Sequence, residues 1–278
     1  MSIIQKTYSV LTIAGFDGSG GAGIQADTKT ISAHGCYATN VLTALPIQNT
    51  QGVKNIYEIS TESIREQIQS ILEDIYPDAI KIGMVHSIEL VNIIAEELKN
   101  YNNPIVFDPV MVSTSGHQLI KKETITACIE KLFPLATLIT PNLDEASVLA
   151  NHKIDSAELM LIHGENIMNL GCQNLLLKGG HLEQKEIVSY LFQKNQPIQS
   201  YTSKKIDTKN THGSGCSLSS AIACNLALGF SLSESVQFAQ EYIERAILGS
   251  KDLTIGKGNG PLNHFFNPQK LKTYDIHN

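Results

Sequence analysis

Asn174-Leu175-Leu176-Leu177-Lys178-Gly179-Gly180 decides the fold class. Three successive leucines carry no polar alternation, the pattern of a strand buried on both faces, as in a parallel sheet between helices. The run stops at a lysine and two glycines, which puts a charge and a pliable turn at the strand's carboxyl end. The same plan recurs along the chain. Apolar stretches end at Gly15, Gly83, Asp108 and Pro141-Asn142. In open α/β sheets these carboxyl ends line the ligand crevice. Any one of them also reads as a plain turn; their recurrence favours the crevice.

Working outward, strands are predicted over 8–14, 79–85, 104–110, 136–140 and 174–178, with an extended piece over 41–46. Between them Ile64, Ile68, Ile71, Leu72 and Ile75 recur at helical spacing, predicting a helix over 61–75. Further helices are predicted over 22–34, 88–98, 124–132, 143–149, 156–170, 216–228 and 233–248, with antiparallel additions at 188–192 and 201–206. Strands alternating with helices predict an α/β protein whose mostly parallel sheet is covered on both faces. No repeat or long linker interrupts the pattern, so a single domain over 1–278 is expected.

Composition removes several function classes. A net charge of −6 gives no electrostatic reason to hold nucleic acid or an anionic membrane. No apolar run reaches about 18 residues, so no membrane span is predicted. The leading residues carry no basic region followed by an apolar run, which makes cytoplasmic residence the default expectation. Arg65 and Arg245 are the only arginines, so a phosphate site here must use backbone amides, helix ends, lysine or a metal. Cys36, Cys128, Cys172, Cys216 and Cys224 form no CxxC pair, which supports neither a zinc site nor a disulfide framework. Four read as small buried residues; Cys216 differs because it lies in a glycine turn.

Two glycine-rich loops carry the candidate chemistry. Gly15-Phe16-Asp17-Gly18-Ser19-Gly20-Gly21-Ala22-Gly23 resembles a dinucleotide fingerprint, but in poor register, and no Gly-Lys-Ser/Thr closes it as a Walker loop. Nucleotide binding and a structural turn both stay open for it. Thr211-His212-Gly213-Ser214-Gly215-Cys216 leads straight into a predicted helix. Amides at such a helix start hold a phosphoryl oxygen, and the peptide dipoles favour added negative charge. The N-terminal field would lower the Cys216 thiol pKa; the competing reading is an ordinary helix start with a buried cysteine. His212 positions the loop or is a neutral structural histidine. Asp108 ends a strand and suits a hydrated magnesium ion. Glu145 either complements a helix dipole or joins that site. Lys178 pairs with phosphate or merely ends its strand, and Asp27 and Gln48 are able to bond a small polar ligand.

Taken together, seven stretches closely resemble the bacterial hydroxymethylpyrimidine/phosphomethylpyrimidine kinases of thiamine biosynthesis, within the ribokinase-like superfamily. They are Ala14-Gly-Phe-Asp-Gly-Ser-Gly-Gly-Ala-Gly-Ile-Gln-Ala-Asp-Thr-Lys-Thr30, Thr43-Ala-Leu-Pro-Ile-Gln-Asn-Thr50, Lys81-Ile-Gly-Met84 and Asp108-Pro-Val-Met-Val-Ser-Thr-Ser-Gly116. Thr140-Pro-Asn-Leu-Asp-Glu-Ala146, Lys178-Gly-Gly-His181 and Thr208-Lys-Asn-Thr-His-Gly-Ser-Gly-Cys-Ser217 complete the set, which spans almost the whole chain. The resemblance implies a ribokinase-like three-layer αβα sandwich. It implies two ATP- and Mg2+-dependent steps at one site: phosphorylation of 4-amino-5-hydroxymethyl-2-methylpyrimidine, then of its monophosphate to the pyrophosphate. A homodimer is also consistent with it.

Carried over residue by residue, the resemblance makes Gln48 the reader of the pyrimidine edge, with Asp27 in the substrate pocket and Gly15, Ala22, Met84 and Val110 as its wall. Asn142 and Glu145 match an Asn-x-x-Glu motif that organises magnesium and phosphate, alongside Asp108, Lys178 and Thr211. Gly213, Ser214, Gly215 and Cys216 match the anion hole and its proposed base. Phe16 and Pro46 depart from the family pattern, where a smaller or polar residue and a valine are common. Pyridoxal or pyridoxine kinase activity is the nearest rival, since its substrates share a hydroxymethylated nitrogen heterocycle. A silent nucleotide-binding regulator is the rival from another class; Asp108, Glu145, Lys178 and Cys216 together argue against it.

Overall fold

The structure is a computed structural model that describes residues 4–111, 120–180 and 186–276. Residues 112–116 of the motif that begins at Asp108, and His181, lie outside the described residues. In chain order the strands are β1 (Ile4–Thr7), β2 (Ser9–Ala14), β3 (Tyr37–Leu42), β4 (Ala44–Asn49), β5 (Gly52–Glu58) and β6 (Ala79–Ile82). They continue as β7 (Ile105–Phe107), β8 (Leu138–Ile139), β9 (Asn174–Leu177), β10 (Glu186–Gln193), β11 (Gln199–Lys204) and β12 (Thr273–Ile276). The helices are α1 (Gly23–Ala33), α2 (Thr61–Asp74), α3 (Ile88–Leu98), α4 (Lys122–Lys131), α5 (Leu143–Ala150), α6 (Ala157–Met168), α7 (Ser214–Ala227) and α8 (Leu232–Leu248).

Eight strands form the central sheet in the order β11-β10-β9-β8-β7-β6-β2-β3. The stretch from β3 to β9 is parallel throughout, and β10 and β11 add antiparallel at one edge. Side chains alternate between two cores. Leu11, Ile13, Ile80, Ile82, Phe107, Ile139 and Leu177 turn toward α2 to α6. Val10, Ala79, Val106, Leu138 and Leu176 turn toward α1, α7 and α8. Burial on both faces is why these strands read as continuous apolar runs. The predicted sandwich of two helical layers around a mostly parallel sheet is what the chain forms.

The topology places the crevice. From β2 the chain crosses to β3 on one side, and it later returns to β6 on the other. The carboxyl ends of β2 and β6 therefore flank a switch point, where open sheets bind ligands. Between these strands β4 and β5 form a separate antiparallel hairpin, pinned to the sheet end because Phe16 N donates to Ala44 O at 3.0 Å. Its turn is fixed too: the amides of Lys257 and Gly258 donate to Thr50 Oγ1.

Some elements escaped the sequence pattern for physical reasons. β5 is exposed along its length, so burial imposes no alternation on it. β1 and β12 pair residues from opposite ends of the chain, a contact no local window carries. The extended piece expected over 41–46 spans the end of β3 and the start of β4, which part at Thr43. No helix among the described residues is long and apolar enough to cross a membrane.

Candidate active site

The first glycine loop closes on itself. Asp17 is fully buried, and its carboxylate accepts from Ser19 N (2.9 Å), Ser19 Oγ (2.7 Å), Gly21 N (3.1 Å) and Ala22 N (2.7 Å). Amides that would otherwise be free for a phosphate are thus spent on an internal carboxylate. Gly15 stands at the end of β2, where an added Cβ would lie 3.5 Å from Met84 Cε and 3.9 Å from Ala44 O. Gln48 is half-buried on β4, and its carbonyl oxygen lies 3.6 Å from where a Cβ on Gly18 would be. Gly15, Ala22, Gln48 and Met84 thus gather around one loop at the switch point. Val110 lies two residues beyond Asp108, its amide donating to the Asp108 carbonyl at 2.8 Å.

Asp27 lies beneath this wall, not on it. Its Oδ2 accepts from Thr12 Oγ1 (2.6 Å) and Lys81 Nζ (2.8 Å), and its Oδ1 from Ser220 Oγ (2.8 Å). Both oxygens are occupied and the side chain is closed to solvent.

The second loop is open where the first is closed. Gly213 caps α7 at φ +80°, and a Cβ there would fall 1.8 Å from Gly21 O, so both the backbone angle and the contact require glycine. The first turn of α7 has neither a side-chain cap nor an acidic residue. Ser214 N donates to the carbonyl of Thr211 at 3.1 Å, with Thr211 itself exposed. The amides of Gly215 and Cys216 have no acceptor among the described residues, which leaves them as the open donors of the turn. An added Cβ on Gly215 would lie 3.3 Å from Lys178 Nζ and 3.7 Å from Asp108 Oδ2. The helix start, a cation and a carboxylate therefore converge.

Strand ends hold that cluster in place. Asp108 Oδ1 accepts from Lys178 Nζ and Thr140 Oγ1, both at 2.9 Å, so the ends of β7, β8 and β9 are tied together. Asn142 and Glu145 form a reciprocal capping box at the start of α5, with Asn142 N donating to Glu145 Oε2 at 2.8 Å and Glu145 N to Asn142 Oδ1 at 2.9 Å. Glu145 is buried, and that burial together with nearby Asp108, opposed by Lys178, pushes its carboxyl up to about 7. Burial also pushes Asp108 upward, but Lys178 and Lys81 outweigh it and hold the carboxyl below its ordinary value. For Lys178 the balance goes the same way: burial opposes the charge, Asp108 and Glu145 favour it, and the pKa rises.

Two buried carboxylates in one another's field, one of them half-protonated near neutrality, gain from an added cation. Hard carboxylate oxygens suit magnesium. No cluster of three or more His, Cys, Asp or Glu poised for a metal occurs among the described residues. Asp108 and Glu145 offer the hard oxygens that would suit a magnesium ion, which would supply positive charge to offset phosphate.

Cys216 departs from expectation. Burial pushes its thiol up to about 11, with Asp27 and Asp108 adding to the rise while Lys81 and the Gly23 amide oppose it. The helix field expected to lower it is outweighed by desolvation.

Comparison with known proteins agrees with this geometry. The profile of the family described as "Phosphomethylpyrimidine kinase" matches residues 17–263. The chain belongs to the phosphomethylpyrimidine kinase family. It is 43% identical over 261 residues to a hydroxymethylpyrimidine/phosphomethylpyrimidine kinase of Rhizobium meliloti, covering 93% of this chain and 97% of that protein. Among solved structures it is similar to the phosphomethylpyrimidine kinase of Clostridium difficile, with 45% identity, a TM-score of 0.76, and 86% and 99% of the two chains covered. An ADP complex of Bacillus subtilis pyridoxal kinase is also similar, at 34% identity and a TM-score of 0.84 over 93% and 98% of the chains. Family membership makes the sandwich a ribokinase-like fold and the chain an ATP-dependent phosphotransferase.

Three further residues bond the carboxylates and the first loop: Lys81 to Asp27, Thr140 to Asp108, and Asp17 to the Gly21 and Ala22 amides. In the sequence each stands inside a longer stretch and receives no role of its own. A lysine inside an otherwise apolar run (Ala79-Ile-Lys-Ile82) was the available signal, because an unpaired lysine is almost never fully buried.

Proposed function

We propose that the chain works as one kinase unit over residues 1–278. It phosphorylates the hydroxyl of 4-amino-5-hydroxymethyl-2-methylpyrimidine and then the resulting monophosphate, giving the pyrophosphate used for the pyrimidine half of thiamine. The observation that carries this is the opening of the Gly215 and Cys216 amides beside the Lys178–Asp108 pair at the end of the crevice. Phosphoryl transfer asks little covalent chemistry of a protein; it asks for positioning and for charge stabilisation where charge develops. Gly215, Cys216 and the α7 dipole face the three oxygens of the moving phosphoryl group. Lys178 offsets charge on the donor side.

Gln48, Gly15, Ala22, Met84 and Val110 form the wall that receives the pyrimidine, with Gln48 bonding its edge. A magnesium ion held by Asp108 and Glu145 would neutralise the phosphate charge of bound ATP. Asn142 orients Glu145 through the capping box. The Cys216 thiolate, the minor form left when the thiol gives its proton to solvent, would take the hydroxyl proton: the S–H bond forms as the substrate O–H bond breaks, while the new O–P bond forms and the bond from the γ-phosphorus to ADP breaks. In a loose transition state that proton leaves late, so a weak base suffices.

A second activity on pyridoxal is favoured by one observation, the TM-score of 0.84 to a pyridoxal kinase, against 0.76 for the phosphomethylpyrimidine kinase structure. ATP consumption measured with the pyrimidine alcohol, its monophosphate and pyridoxal as sole acceptors separates the readings. Turnover on both pyrimidines supports the proposal. ATP binding with no turnover on either pyrimidine sinks it.

A further inference from the structure

Asp17 and His212 take no part in the transfer chemistry, yet they carry the densest polar contact in the crevice. The geometry points to both as positioning residues that set the anion turn at its working distance from the substrate. This rests on the Gly213–Gly215 turn being the phosphoryl site.

All five groups on the Asp17 carboxylate are donors: Ser19 N, Ser19 Oγ, Gly21 N, Ala22 N and, at 2.9 Å, His212 Nε2. Burial pushes this carboxyl up, but hydrogen bonds from His212 and Ser19 outweigh it and hold it well below the ordinary carboxylate range. An ionised carboxylate only accepts, so Nε2 must carry the His212 proton. Asp17 therefore acts as a permanent anion inside the first loop, and His212 extends that fixed point across to the second. The His212 amide is pinned on the other side, donating to Gly260 O at 3.1 Å.

The backbones of the two loops meet at the same place. An added Cβ on Gly21 would lie 2.5 Å from His212 Cδ2, and one on Gly213 would lie 1.8 Å from Gly21 O. His212 immediately precedes Gly213, the cap of α7. Any shift of the imidazole therefore moves the amides that stabilise the transferring group. A misplacement of about 1 Å in such an arrangement costs on the order of 100-fold in rate.

The test is steady-state kinetics with ATP and the pyrimidine alcohol, with circular dichroism to establish folding. His212→Gln keeps a donor at similar reach and should stay within about threefold of wild-type kcat. His212→Leu and Asp17→Asn should lower kcat roughly 100-fold while the pyrimidine KM moves less than about threefold. If His212→Leu does not fold, Gly21→Ala carries the test, because it displaces the imidazole without removing a polar group; the same split between kcat and KM is expected. Wild-type kcat in folded His212→Leu or in Gly21→Ala would overturn the inference. So would equal losses in His212→Gln and His212→Leu, or kcat and KM worsening together. Gly215→Ala separates the two layers. If it lowers kcat and His212→Leu does not, the tie alone fails; if it leaves kcat intact, the anion-turn assignment fails as well.

Discussion

Lys81 Nζ lies 2.8 Å from Asp27 Oδ2, and both side chains are fully closed to solvent. The pair sits between the sheet and α7, one helical turn from Cys216, because Ser220, which bonds the other Asp27 oxygen, is four residues further along the same helix face. Desolvation opposes the Lys81 charge, but Asp27, Cys216 and Asp108 outweigh it and hold the lysine protonated. Removing one partner leaves the other charge buried and alone. Lys81→Met should therefore destabilise the protein by about 3–5 kcal/mol. Adding Asp27→Leu to it should return part of that loss. Urea unfolding of both variants reads the difference, and a Lys81→Met protein as stable as wild type would show the pair to be dispensable.

Cys216 should resist alkylation at neutral pH. With its thiol at about 11, only about one molecule in 10,000 carries the thiolate at pH 7. The rate with iodoacetamide, read by mass spectrometry of the Cys216 peptide, should climb roughly tenfold per pH unit up to about pH 10. The other four cysteines are buried and contribute little background. A plateau below about pH 9 would mean that the helix field outweighs burial after all.

Gly215→Ala should act on chemistry more than on substrate binding. Its Cβ would press toward Lys178 Nζ at 3.3 Å, beside the open amides. A loss of roughly 100-fold in kcat is expected, the size seen when one donor to a developing oxyanion is lost. Pyrimidine affinity measured by calorimetry should hold, since the added Cβ points toward Lys178 and Asp108 and meets none of the wall residues.

Acid should act on two buried histidines in a window where only Glu145, whose raised carboxyl gains a proton on folding, opposes them. Burial lowers both His34 and His264 to about 4 from an ordinary 6.5. Between those values the unfolded chain binds protons that the folded chain refuses, so this stability is full above about pH 6.5 and falls as pH drops toward 4. His264→Gln, which keeps a polar group opposite Ser217 Oγ, should flatten the fall of the urea midpoint between pH 7 and pH 5. An unchanged slope would assign the effect elsewhere.

The fold was legible because its strands are buried twice over. Leu175-Leu176-Leu177 and Ile105-Val106-Phe107 show no polar alternation because two cores claim their alternate side chains. The turn at Gly213 was legible because only glycine satisfies both its φ and its contact with Gly21. What stayed hidden depends on contacts distant in sequence. Asp27 looked like a ligand-binding residue because its partners, Thr12, Lys81 and Ser220, come from three separate segments. Asp17 receives no role from the sequence because its partner His212 is 195 residues away. The Cys216 thiol was misjudged for the same reason: a helix start is visible in sequence, but the depth of burial is not.

The central claim is best tested by competition. The enzyme is given magnesium, excess ATP and equal amounts of the pyrimidine alcohol and pyridoxal, and products are followed by phosphorus NMR. The expected course is pyrimidine monophosphate first, then its conversion to the pyrophosphate, with pyridoxal phosphate lagging behind. Pyridoxal phosphate accumulating ahead of any pyrimidine product, or a pyrimidine monophosphate that never becomes pyrophosphate, would contradict it.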